Sequence, residues 1–68
     1  MFRDKRTYVP IGEGETYNVT IQDIARLGDG IARIEGFVVF VPGTEIGDKI
    51  QIKLEKVLPN FAFATIVE

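Results

Sequence analysis

Residues typical of tight turns recur along this chain and divide it into segments of strand length. Glycine accepts positive φ angles and proline fixes φ near the value that a turn requires. No segment of helix length has the 3.6-residue apolar period that would predict a helix. The chain is therefore constrained to fold from short β-strands. The turn signals are Gly28-Asp29-Gly30, Glu35-Gly36, Pro42-Gly43, Ile46-Gly47-Asp48 and Leu58-Pro59-Asn60.

Apolar and polar residues alternate between the turns, as expected for half-buried strands. Tyr17, Val19 and Ile21 form one such series, and residues 50–54 form another. Residues 31–34 and 37–41 predict a hairpin, and residues 61–67 a last strand. Five strands without a helix indicate a barrel or a sandwich, and closure into a barrel removes exposed sheet edges. We predict an all-β fold, a small five-stranded OB-like closed β-barrel.

The N-terminal segment shows neither the two-residue alternation of a strand nor the 3.6-residue apolar period of a helix. Its first six residues carry Arg3, Lys5 and Arg6 against one acidic residue, Asp4. We predict a flexible basic tail and lead-in over residues 1–13 and the barrel domain over residues 14–68, because termini without a pattern are often disordered. A chain of 68 residues has room for a single domain of this kind.

The composition excludes several function classes. The chain has no cysteine, histidine or serine, so we expect no disulfide, none of the usual zinc sites, and no catalytic base or nucleophile of the common types. We therefore expect no catalysis, cofactor, metal or small-molecule substrate. The basic N-terminus is not followed by the apolar run of a signal peptide, and no segment approaches the ~20 apolar residues of a membrane span. These two observations predict a cytoplasmic protein. We also expect a monomer.

The hairpin brings an arginine onto the same face as a phenylalanine in either of two geometries. With a two-residue turn at Glu35-Gly36, Arg33 lies opposite Val38 and shares a face with Phe40. With a three-residue loop ending in a left-handed glycine, Arg33 lies opposite Phe37 instead. A guanidinium beside an exposed aromatic ring is typical of single-strand nucleic-acid binding, whereas a surface arginine covering a core phenylalanine is the structural alternative.

The last strand leaves its orientation open. Phe61, Phe63 and Thr65 share one face, and Ala62 and Ala64 the other. Phenylalanines usually point inward, yet the interior of a small barrel is narrow and suits alanine. If the alanines face inward, two adjacent phenylalanines form an exposed apolar patch that needs a partner.

The charge balance limits how such a surface can bind. Eight basic and ten acidic residues give a net charge of −2 and a pI near 5.0. Tight binding driven by phosphate contacts requires a basic surface, since counterion release supplies that affinity. Any nucleic-acid binding is therefore expected to depend more on stacking than on phosphate contacts.

Residues 14–68 resemble the TRAM domain, a small RNA-binding β-barrel. The resemblance is colinear and rests on Tyr17 with Val19 and Ile21, residues 28–33, residues 36–43, Gly47-Asp48 and residues 61–64. It implies an OB-like five-stranded barrel and, since no methyltransferase or iron–sulfur domain accompanies it, the free-standing single-domain type that occurs in archaea. The RNA-contacting set that the resemblance implies is Arg33, Phe37, Phe40, Phe61 and Phe63. A regular strand would point Phe37 and Phe40 to opposite faces, so the residues themselves do not support both equally.

The resemblance implies an RNA chaperone similar to cold-shock proteins, which binds single-stranded or structured RNA (tRNA, rRNA or mRNA) with low sequence specificity. Two other hypotheses remain open at this point. One is an accessory module that presents tRNA to a separate modifying enzyme. The other is a protein-interaction barrel associated with the translation machinery, in which the phenylalanines are interface hot spots.

Overall fold

The computed structural model describes residues 11–68, and residues 1–10 of the tail and lead-in predicted over residues 1–13 lie outside the described residues. The described chain is all-β, as the sequence predicts. Its strands are β1 (Thr16–Thr20), β2 (Asp23–Ile24), β3 (Gly30–Ile34), β4 (Phe37–Val41), β5 (Lys49–Val57) and β6 (Phe61–Ile66).

One curled sheet contains all these strands in the order β1-β5-β6-β4-β3-β2. Its edge strands β1 and β2 are consecutive parts of the segment 16–24, which changes partner at its middle. The Ile21 N–H donates to the Asp48 carbonyl (2.8 Å), and the next N–H, of Gln22, donates to the Ile31 carbonyl (2.7 Å). The all-β, OB-like fold is thus confirmed as a curled half-barrel with six strands instead of five, because the first predicted strand bends and is divided in two. No strand pairing in the described residues joins the edge strands β1 and β2 to complete the predicted closure.

The core lies on the concave face of the sheet and is filled from alternate strand positions. Ile52 and Leu54 of β5 and Val39 and Val41 of β4 are each 0% exposed. Ile11 belongs to the same core at 3% exposure, although the sequence analysis places it in the lead-in. The neighbouring backbone is also tied to the barrel, since the Gly14 N–H donates to the Leu54 carbonyl (2.7 Å).

The two glycines of the turn before β3 serve different purposes. Gly28 has a φ of +101°, which only glycine adopts without strain. Gly30 is buried against the loop that follows β4, and a Cβ atom there would lie 1.8 Å from the Thr44 hydroxyl oxygen. That hydroxyl donates to the Val41 carbonyl (2.9 Å), so Gly30 permits a close approach that fixes the loop to the end of β4.

The β3–β4 hairpin adopts the two-residue turn. Arg33 pairs with Val38 and Ile34 with Phe37, while Glu35 (φ 51°) and Gly36 (φ 85°) form the turn itself. Two successive positive φ angles define a type I′ turn, whose twist matches that of the flanking strands. The first of the two predicted geometries is therefore correct, and Arg33 faces the same side as Phe40.

Candidate nucleic-acid interface

Three phenylalanines form a continuous aromatic surface on the convex side of the sheet. In β6, Ala62 and Ala64 are 0% and 2% exposed, so Phe61 and Phe63 point outward. The neighbouring β4 runs parallel to β6, and Phe40 pairs with Phe63 across them. The orientation that the sequence leaves open is thus settled with the alanines inside. The set Phe40, Phe61 and Phe63 is called the phenylalanine cluster below.

The rings of the phenylalanine cluster touch one another in pairs. The centroids of Phe40 and Phe63 are 5.7 Å apart with planes inclined by 31°. Phe61 stands edge-on to both, at 6.1 Å from Phe40 and 5.6 Å from Phe63. Such edge-to-face and tilted pairs stabilise each other by ~0.5–1.5 kcal/mol beyond their area burial. Mutual contact therefore holds the rings in place while part of the cluster remains exposed, most of all Phe63 at 42%.

Phe37 lies on the other side of the sheet from this cluster. It is 8% exposed and belongs to the core. It stands three residues before Phe40 in an unbroken strand, so the two rings point to opposite faces. The structure therefore does not bring Phe37 together with the other predicted contact residues, and we remove it from the candidate surface.

Cationic side chains flank the cluster on both sides. Arg33 is exposed on β3 opposite Val38, which in turn pairs with Phe61. On the far side, Lys56 of β5 pairs with Phe63. Phosphates on either side of bases stacked on the rings would therefore meet a positive charge.

Sequence reasoning missed Lys56 because β5 contains a bulge. The register between β5 and β6 shifts between Leu54 and Lys56, and Glu55 and Lys56 are both exposed. A signal was present in the sequence, since the apolar series Ile50, Ile52, Leu54 continues at Val57 instead of residue 56. A one-residue phase change of this kind indicates a bulge, which re-aims the side chains that follow it.

Two shallow depressions flank Phe40. One has a volume of about 440 Å³ and is lined by Val38, Phe40, Asn60 and Phe61. The other, of about 340 Å³, lies toward the β2–β3 turn and is lined by Ala25, Arg26, Leu27, Asp29, Phe40 and Phe63. The arrangement offers two neighbouring positions at which a flat apolar group can lie against the rings.

Acidic residues lie both beside this surface and away from it. Asp29 lines one of the two depressions, and Glu55 accepts a hydrogen bond from the Thr65 hydroxyl (2.9 Å) on the outer face of β6. Glu13 and Glu15 belong to the segment before β1, where the Glu13 carboxylate accepts from the Val57 N–H (3.0 Å). The Tyr17 hydroxyl donates to the Glu15 carboxylate (2.5 Å), and this hydrogen bond is the main reason that the pKa of Tyr17 is raised above its ordinary value of 10.0. The phenylalanine cluster therefore has charged residues of both signs at its edges.

Over residues 11–68, no group of three or more acidic, histidine or cysteine side chains could hold a metal ion. The same part of the chain has no helix long and apolar enough to cross a membrane. The site combines exposed aromatic rings, on which bases can stack, with Arg33 and Lys56 at its edges. This combination is typical of proteins that bind single-stranded nucleic acid.

Comparison with known proteins agrees with this geometry. The chain is 59% identical over 59 residues to an uncharacterised protein of Methanocaldococcus jannaschii, covering 87% of this chain and 77% of that protein. It is 52% identical over 56 residues to ribosomal RNA large subunit methyltransferase E of Methanocella arvoryzae, where the match covers 82% of this chain and 22% of the methyltransferase.

A solved structure shows the same fold over nearly the whole chain. The solution structure of a conserved protein of Methanococcus maripaludis superposes with a TM-score of 0.85 and 48% sequence identity, covering 97% of this chain and 94% of that one. The family model of the TRAM domain matches residues 12–67, from the segment before β1 to the residue after β6. The curled sheet, the turn glycines and this match together show that the chain belongs to the TRAM domain family, which is associated with RNA binding.

Proposed function

We propose that this protein binds single-stranded RNA with low sequence specificity and acts as an RNA chaperone, without catalysing a reaction. The observation that carries the proposal is the phenylalanine cluster on the convex face, with alanines beneath it in the core. A surface of three large apolar rings is costly to leave in water unless a partner covers it. Bases are suitable partners because every base has a π-face.

Stacking supplies the affinity in this proposal. Each base stacked on an aromatic side chain contributes ~1–3 kcal/mol, and Arg33 and Lys56 add phosphate contacts at the edges. The protein binds only unpaired bases in this way, so it shifts the equilibrium of a misfolded RNA toward the open state in proportion to its concentration. Modest affinity suits the role, because the RNA must be released to refold.

The test is fluorescence anisotropy with a labelled, unstructured RNA at low and moderate salt. The wild type is compared with the Phe61→Ala/Phe63→Ala double variant and with Ile46→Ala as a control. Ile46 is an exposed apolar residue (62%) that lines neither depression. We expect saturable binding by the wild type and the control and at least a tenfold loss in the double variant. Circular dichroism verifies that each variant is folded. Equal binding by all three would contradict the proposed surface.

The chaperone activity needs a second measurement. Excess protein should lower the melting temperature of a short RNA hairpin, and the Phe61→Ala/Phe63→Ala variant should not. An unchanged melting temperature, together with intact binding to unpaired RNA, would remove the chaperone role and leave the binding role.

A second candidate function is an accessory module that presents RNA to a separate modifying enzyme. It is favoured by the similarity to a segment of a ribosomal RNA methyltransferase. It predicts tighter binding to a folded tRNA or rRNA fragment than to the unstructured strand, the opposite of the chaperone proposal. A wild type that binds neither RNA, but retains a protein in pull-down experiments, would indicate a protein-interaction barrel instead.

A further inference from the structure

The turn between β2 and β3 forms a wall beside the phenylalanine cluster. Leu27 at this turn is 92% exposed, although it is a large apolar residue. The turn is closed by two backbone hydrogen bonds, from the Gly28 N–H to the Ala25 carbonyl (2.8 Å) and from the Ala25 N–H to the Asp29 carbonyl (2.7 Å). It therefore presents Leu27 at a fixed place next to the depression that Phe40 and Phe63 line.

Both depressions beside Phe40 have a mainly apolar surface, and they differ in whether charged residues border them. The one toward Asn60 is lined by no charged residue. The one under the β2–β3 turn is lined by both Arg26 and Asp29, a donor of hydrogen bonds and an acceptor. Stacking alone does not distinguish bases, whereas polar groups beside a stacked base contact its edge and can distinguish it.

We propose that the depression under the β2–β3 turn is a nucleobase subsite that prefers guanine, an inference that rests on the proposed RNA binding. A carboxylate only accepts hydrogen bonds, so Asp29 favours a base edge with donors. Guanine alone among the four bases offers two adjacent donors, N1–H and the N2 amino group, which suit the two oxygens of one carboxylate. Its O6 and N7 atoms are acceptors for the Arg26 guanidinium.

The other bases fit these groups less well. Uracil presents a single N–H between two carbonyl oxygens, which repel a carboxylate. Adenine and cytosine present one amino group beside a ring nitrogen that is itself an acceptor. Leu27 lines the same depression, so a base bound there would contact its side chain and remove part of that side chain from water.

The test uses an unstructured oligouridine with one central position changed to guanine, adenine or cytosine, so that the strands cannot form stable duplexes. Anisotropy with the wild-type chain should show about fivefold tighter binding for the guanine strand than for the uridine strand, the low end of discrimination by a bidentate contact. Asp29→Asn should abolish this preference. Glu45→Gln removes the same charge from the exposed β4–β5 loop and should retain it.

A second pair of variants tests the contact between Leu27 and the bound base. Leu27→Ser should reduce the guanine preference. Ile46→Ser makes the same type of substitution at an exposed apolar residue of another loop and should leave the preference unchanged. Equal affinity for all four strands, or a guanine preference that survives Asp29→Asn, would overturn the proposed subsite. The proposed RNA binding would still stand in that case if the Phe61→Ala/Phe63→Ala variant loses affinity. Absence of binding to every strand would overturn both.

Discussion

Phe37 and Phe40 are the same residue type on the same strand, yet they belong to different parts of the molecule. Phe37 packs in the core at 8% exposure, whereas Phe40 lies on the convex face against Phe61 and Phe63. In β6 the small alanines are buried and the large phenylalanines lie on the outer face, the reverse of the usual arrangement. Because the interior of a small barrel has little volume, size alone does not decide which residues are buried. An aromatic ring on the outer face therefore calls for an explanation by function.

The largest expected effect on stability comes from truncating Phe37, the ring in the core. Phe37→Ala should lower the free energy of unfolding by about 3–5 kcal/mol, because it removes a buried ring and leaves a cavity in a small core. Phe40→Ala removes a half-buried ring and should cost about 1–2 kcal/mol, chiefly its aromatic contacts. Guanidinium denaturation monitored by circular dichroism measures both. Similar losses for the two variants would show that the convex cluster is a second core and not a free surface.

Filling the interior is the next largest change. Ala62→Val adds volume at a position that is 0% exposed, and overpacking should lower the free energy of unfolding by about 1–3 kcal/mol despite the higher strand propensity of valine. Thr65→Val on the outer face of the same strand loses only the exposed hydrogen bond to Glu55 and should change it by less than about 0.5 kcal/mol. A stabilised Ala62→Val variant would mean that the barrel interior has spare volume.

The outer ring should affect binding more than folding. Phe63→Ala should lower the free energy of unfolding by about 1 kcal/mol, since this ring is 42% exposed, and should weaken binding of unpaired RNA by about tenfold. Thermal denaturation and anisotropy on the same samples separate the two effects. A large loss of stability with unchanged RNA affinity would assign Phe63 to the fold.

Local patterns predicted much of this structure. Alternation and turn residues were sufficient for the all-β fold and for the hairpin, whose two alternatives differed only by one residue of register. The orientation of β6 was ambiguous because Phe61 and Phe63 are favourable in a core, and only the limited interior volume decides against them. The parallel pairing of β4 with β6 joins residues far apart in sequence, so no local pattern reveals it. The place of Lys56 depended on a bulge that a strict two-residue period overlooks.

The smallest effect concerns Tyr17, an aromatic residue that packs against the core while its hydroxyl reaches the rim. The hydrogen bond to Glu15 raises the pKa of Tyr17 in the folded chain above its ordinary value of 10.0. A raised pKa means that the folded state holds the proton more tightly than the unfolded state. The contribution to stability is thus fully present below about pH 10 and is lost as the pH rises through the folded-state pKa.

The difference in free energy of unfolding between the wild type and Tyr17→Phe should therefore be constant below about pH 10 and should decrease as the pH rises through the folded-state pKa of Tyr17. Replacing the second tyrosine, Tyr8, by phenylalanine leaves Tyr17 as the sole tyrosine and lets ultraviolet absorbance report its titration directly. RNA affinity at neutral pH should be the same in Tyr17→Phe and wild type, because this ring belongs with Phe37 to the residues that maintain the fold. A titration at the ordinary pKa, or weakened RNA binding in Tyr17→Phe, would show that the division between inner and outer aromatic residues does not extend to β1.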